Sequence, residues 1–257
     1  MVVLLPASPV PARSAGWALT LYPSAGEGGG CFVSSAQPVR PAYVARGQAR
    51  DPQRAAAEAG RRARASLRRY CAANRLNRLG TLTYGPPRCT DPLEVRAHVG
   101  SFFRNLRAEL GRDALPYAWV PELHKDGVHF HVHFAVGQYV PRGLISSAWG
   151  RGFVHIKLLG DLPVGSTSLS EARVASRYLS KYVTKTFTDP ATRVRGLHRY
   201  DVAQGYQPAS QRLRGRSPDD VLAQASELFG LEPATRWSSD EVEGWAGPPA
   251  IWAQWGV

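Results

Sequence analysis

The chain has 257 residues, is 44% hydrophobic and carries a formal net charge of +12, which suits one large domain or one domain with extensions. Arginine supplies 28 of its 32 basic side chains, the lysines being Lys125, Lys157, Lys181 and Lys185, so the expected partner is a polyanion, most simply nucleic acid. Three scattered cysteines (Cys31, Cys71, Cys89) argue against a disulfide framework or a zinc knuckle and fit a reducing cytoplasm. No apolar run approaches a membrane span, and no phosphate-binding P-loop pattern marks an NTPase or helicase.

Residues 1–50 are rich in Pro and Gly. Met1–Pro11 is apolar but lacks a basic start and contains prolines, against a signal peptide. Trp17–Tyr22 reads as a strand, Gly26–Gly30 as a flexible turn and Cys31–Val33 as another apolar piece. Asp51-Pro52 opens a helix reaching about residue 76. Its Arg61, Arg62, Arg64, Arg68 and Arg69 suit a phosphate backbone or simply solvent.

Leu79–Tyr84 is a short β-type run ended by Gly85-Pro86-Pro87. Asp91, Pro92 and Glu94 then start a helix whose Val95, Val99, Phe102, Phe103, Leu106 and Leu110 recur at helical spacing until Gly111. A hairpin follows at 117–136, then a short helix at about Leu144–Trp149, a strand at Phe153–Leu159 and a helix from about Leu169 to Phe187, with Ser168 and Glu171 as its capping box. The order β-α-β-β-α-β-α predicts an α+β, ferredoxin-like (split βαβ, RRM-like) antiparallel sheet with helices packed on it and one helix appended. The chain thus divides into an extension over 1–78, a core over 79–187 and a basic, Trp-rich extension over 188–257, where 217–229 reads as a helix.

Two constellations in the core carry chemistry. In the hairpin, Asp126-Gly127 suits a two-residue type I′ turn, which pairs His124 with His129 and Glu122 with His131. Strand alternation then puts His129, His131 and His133 on one face, with Phe130, Val132 and Phe134 on the other. A carboxylate beside several imidazoles points to a divalent-metal site; a half-solvated sheet face has the same pattern. A three-residue loop would set Glu122 opposite Phe130 and dissolve the cluster. The second constellation is Tyr178, Lys181, Tyr182 and Lys185 at i, i+3, i+4 and i+7, one helical stripe beside the buried one. A compact ammonium can sit beside a phosphoryl oxygen, although tyrosines on an amphipathic surface helix give the same stripe.

Together these pieces resemble the HUH endonucleases, in particular the rolling-circle replication initiators of small plasmids and single-stranded-DNA phages. Thr81-Leu-Thr-Tyr84 looks like their first motif, His129-Phe-His131 like the histidine–hydrophobic–histidine motif, and Tyr178-Leu-Ser-Lys-Tyr182-Val-Thr-Lys185 like the tyrosine motif. The resemblance makes Glu122, His129 and His131 the ligands of Mg²⁺ or Mn²⁺. The preference for His129 and His131 rests on their following Gly127-Val128 as the family's pair follows a similar turn; His131-Val-His133 fits the pattern too, and His124 shares the face. It makes Tyr182 the nucleophile, Tyr178 a second nucleophile or proton-handling partner, and Lys181 or Lys185 the group that steadies the phosphate. What it implies is a cytoplasmic, site-specific nickase and strand transferase, acting on single-stranded DNA through a 5′-phosphotyrosine and depending on a host helicase and polymerase. The rivals are a non-catalytic RRM-like module for single-stranded nucleic acid, an iron facial-triad enzyme and a transposase of the same group.

Overall fold

The structure is a computed structural model that describes residues 14–35, 44–45, 48–158, 167–188 and 200–256. The chain forms two compact units, one drawn from residues 1–43 with 210–257 and the other from 44–209.

The first unit begins with β1 (Gly16–Tyr22) and β2 (Glu27–Val33), an antiparallel hairpin pairing Leu19 with Gly30 and Leu21 with Gly28. The glycine run expected to be a flexible turn is therefore strand. The turn lies before it, at Pro23–Gly26, where Gly26 adopts φ 61°. The glycines answer a packing constraint instead: a Cβ on Gly30 would come within 2.0 Å of the Ala18 carbonyl oxygen.

The second unit starts at α1 (Pro52–Ala73), whose first turn is capped by the Asp51 carboxylate accepting from Arg54 N–H. Then come β3 (Arg78–Tyr84), α2 (Pro92–Glu109), β4 (Tyr117–Leu123), β5 (Phe130–Val136), α3 (Arg142–Trp149), β6 (Gly152–Leu158), α4 (Ser168–Thr188) and the short β7 (Asp201–Val202). The strands form one antiparallel sheet in the order β6-β3-β5-β4-β7. Its first four strands have the ferredoxin-like order that the element sequence predicts, so the fold is α+β of that type. At α4 the capping differs by one residue from the sequence reading. Thr167, not Ser168, receives the Ser170 N–H, and Glu171 accepts from Asn77 instead.

Strand alternation divides the sheet into two apolar faces. Leu82, Val132, Phe134, Val136 and Val154 meet Val99, Phe102, Phe103, Leu106, Ile145 and Trp149 of α2 and α3. On the other face Leu79, Ala118, Val120 and Ala135 meet Leu67 and Cys71 of α1 and Ala175, Leu179 and Val183 of α4. The close packing is visible at Gly80, where a Cβ would lie 2.2 Å from the Phe134 ring.

The first unit is completed by β8 (Gln211–Gly215), α5 (Pro218–Phe229), β9 (Thr235–Ser238) and β10 (Ala250–Gln254), giving a second antiparallel sheet in the order β8-β1-β2-β10-β9. Segments read from sequence as separate extensions thus share one sheet, and α1, assigned to the N-terminal extension, belongs to the second unit. α5 buries Val221, Leu222 and Ala225 against Leu19, Leu21, Ile251 and Ala253. Trp255 lies fully buried there, its indole N–H donating to Ser226 Oγ at 3.4 Å.

Candidate metal centre and tyrosine pair

The site is built where the α1/α4 face of the second unit's sheet turns polar. β4 pairs with β5 so that Glu122 lies opposite His131, the register that the alternating pattern requires. The turn that sets this register differs from the expected type I′. Only Gly127 enters the left-handed region, at φ 70°; Asp126 does not, and its carboxylate instead accepts from Val128 N–H and His129 N–H. His124 N–H donates to the His129 carbonyl at 2.7 Å, which closes the loop and keeps the expected pairing. An Asx-type side-chain contact thus replaces the strained backbone.

That wider loop decides which histidines converge. His129 Nδ1 lies 2.8 Å from Asp126 Oδ2, so the ring is held at the turn and is separate from the cluster expected to contain it. The converging donors are Glu122, His131 and His133. Glu122 Oε2 is 3.0 Å from His131 Nε2 and 2.9 Å from His133 Nε2, and the two imidazole nitrogens are 3.0 Å apart. His124 stacks behind, its ring centroid 4.4 Å from that of His131. Ligands at right angles around an octahedral ion, with bonds of ~2.1 Å, lie about 3.0 Å apart. The triangle therefore fits one face of such an ion and leaves the opposite positions for water or a substrate oxygen. Burial, then the neighbouring His133, pushes His131 down to about 4 despite the opposing pull of Glu122. Its imidazole is neutral at pH 7, as a metal ligand must be.

A further residue supports the cluster. Thr81 Oγ1 lies 3.2 Å from His133 Nδ1, so an Nδ1–H donating to this hydroxyl leaves the Nε2 lone pair facing Glu122 and His131. Thr81 stands in the first of the three sequence motifs, and pairing it with His133 across β3 and β5 required the register. Tyr84, from the same motif, is on the other face. It is buried, with its hydroxyl 3.2 Å from His98 Nδ1 and its ring edge-on to Trp149.

α4 carries the tyrosines across the cluster. Tyr182 stacks on His133, with ring centroids 3.8 Å apart and planes 18° from parallel. Its hydroxyl donates to Tyr178 Oη at 2.7 Å, and the Tyr178 ring stands edge-on to His133 at 6.1 Å. Both phenols are thus beside the three donors. Burial raises the Tyr182 hydroxyl above the ordinary tyrosine range, reinforced by the hydrogen bond to Tyr178 and by the negative charges of Tyr178 and Glu122. Lys181 is exposed and holds Nζ 5.9 Å from the Tyr178 ring centroid. Lys185 falls in α4, but its side chain lies outside the described residues.

Residues 77–187 match the family model for replication-associated proteins of the ORF2 group. All three donors, Thr81 and both tyrosines fall inside the matched stretch. No curated protein and no solved structure gives a significant match to the chain. Among the described residues no helix is long and apolar enough to cross a membrane.

Proposed function

We propose that the second unit is a metal-dependent single-stranded-DNA nickase and strand transferase of the HUH type that initiates rolling-circle replication. The observation that carries the proposal is the stacking of Tyr182 on a histidine of the Glu122/His131/His133 triangle, which sets a nucleophilic oxygen beside a cation site. The match to a replication-associated family and the charge of +12 support DNA as the substrate.

Glu122, His131 and His133 would hold Mg²⁺ or Mn²⁺, both of which accept mixed imidazole and carboxylate donors. When bound, the ion polarises the scissile phosphate as a Lewis acid and offsets charge building on its oxygens. Tyr182 Oη attacks phosphorus and the bond to the 3′ oxygen breaks, giving a 5′-phosphotyrosine and a free 3′-OH that primes synthesis. The phenolic proton leaves through the hydrogen bond to Tyr178, which is 38% exposed and can pass it to solvent. The carboxylate of Glu122 opposes loss of that proton, and a cation on Glu122 removes the opposition. Tyr178 serves as a second nucleophile or proton partner. Lys181 and Lys185 steady phosphate oxygens. Strand opening and extension fall to a host helicase and polymerase.

The test is to incubate the full chain with single-stranded oligonucleotides and Mn²⁺ and look for an adduct that survives denaturation. Tyr182→Phe should abolish the adduct or pass it to Tyr178. An adduct that persists when both tyrosines are replaced by phenylalanine would exclude them as nucleophiles.

A further inference from the structure

The sheet face that carries the metal triangle continues beyond it, away from α4. The strand registers place Glu122, His131, Thr83 and Phe153 on one rung running from β4 through β5 and β3 to β6. The next rung is Val120, His133, Thr81 and His155. The two rungs share a face, so Phe153 and His155 extend the surface holding the metal donors. Where α1 and α4 cover the sheet, that face is apolar and closed. Over β6 it is open: Phe153 is 71% exposed, and His155 is exposed beside it.

A phenylalanine this exposed contributes little to folding, because its ring gains little from removal from water. Alternate residues of the same strand, Val154 and Ile156, point the other way and join the core, so β6 already supplies its share of apolar contacts. The neighbours of Phe153 across the strand are short: Thr83 lies opposite it and Thr81 opposite His155. They leave the ring standing clear on a flat surface. Two strand spacings of ~4.8 Å put Phe153 about 10 Å from His131. A base on this ring can therefore belong to a strand whose phosphate reaches the triangle. An aromatic face beside a polyanion site, on a chain with charge +12, favours single-stranded DNA over an apolar partner.

We infer that Phe153, with Thr83 and His155 beside it, is a base-stacking platform that holds single-stranded DNA on the open sheet face next to the metal triangle. The inference rests on the proposed nickase reading, which it deepens by naming where a base near the scissile phosphate is held. Stacking is tolerant of base identity, so the platform positions the strand and does not select its sequence.

The experiment measures binding of fluorescein-labelled dT30 to the full chain by anisotropy, with chelator present so that neither metal nor cleavage contributes. Loss of one stacking contact should weaken binding roughly 5- to 150-fold in Phe153→Ala. Phe153→Tyr, which keeps a ring, should bind within about twofold of the parent. Both variants should keep the parent's melting temperature. If Phe153→Ala binds dT30 like the parent, or Phe153→Tyr is as weak as Phe153→Ala, the platform is overturned. Adduct formation by the unsubstituted chain is scored separately with Mn²⁺. An adduct alongside unaltered Phe153→Ala binding sinks the platform and leaves the nickase standing. Ring-dependent binding with no adduct supports the platform and sinks the nickase.

Discussion

Replacing His133 by alanine and, separately, His129 by alanine distinguishes the triangle seen in the structure from the pair favoured by sequence spacing. His133 Nε2 stands 2.9 Å from Glu122 Oε2 and 3.0 Å from His131 Nε2, whereas His129 is tied to Asp126. Removing an outer partner of a metal ligand already costs ~10–100-fold in affinity. Removing a ligand should therefore exceed about 100-fold, or ~2.7 kcal/mol. His129→Ala should stay within the ~0.5 kcal/mol of an ordinary surface change, about twofold. The assay is Mn²⁺ titration of each full-length variant by calorimetry at pH 7.5, with circular dichroism confirming that His133→Ala is folded. Equal loss in both variants, or Mn²⁺ binding to His133→Ala at the parent's strength, would refute the triangle.

Thr81→Val removes the hydroxyl beside His133 Nδ1 while keeping the side chain's shape. Mn²⁺ affinity should fall ~10–100-fold with little change in melting temperature, and an unchanged titration would deny Thr81 its orienting role. Gly80→Ala drives a methyl into the Phe134 ring and should destabilise the chain by about 1–3 kcal/mol in denaturant melts. A stability equal to the parent's would mean that the ring moves aside freely. Under native conditions a thiol reagent should modify Cys31 before the buried Cys71 and Cys89, both of whose thiols burial pushes up. Mass spectrometry locates the label, and early modification of Cys71 would contradict its place beneath α1.

Periodicity and turn chemistry determined much of this molecule. The spacing of Val95, Val99, Phe102, Phe103 and Leu106 made α2 a helix, and alternation along 117–136 made the hairpin, because 3.6-residue and two-residue periods each bury one apolar face. Chain order then gave the ferredoxin-like arrangement, and Glu122, His131 and the two tyrosines were legible as candidates. Tertiary structure decided the rest, since it turned on contacts between residues distant in the chain. Whether Gly28–Gly30 bend or extend depended on the backbone of β1 lying against them. Whether β1 and β2 stood alone depended on strands from the far end of the chain, β8 and β10, completing their sheet. The choice of His133 over His129 depended on Asp126 taking His129 for its own carboxylate and on Thr81 arriving from β3. Strand alternation puts all three histidines on one face, and only these side-chain partners determine which two turn toward Glu122.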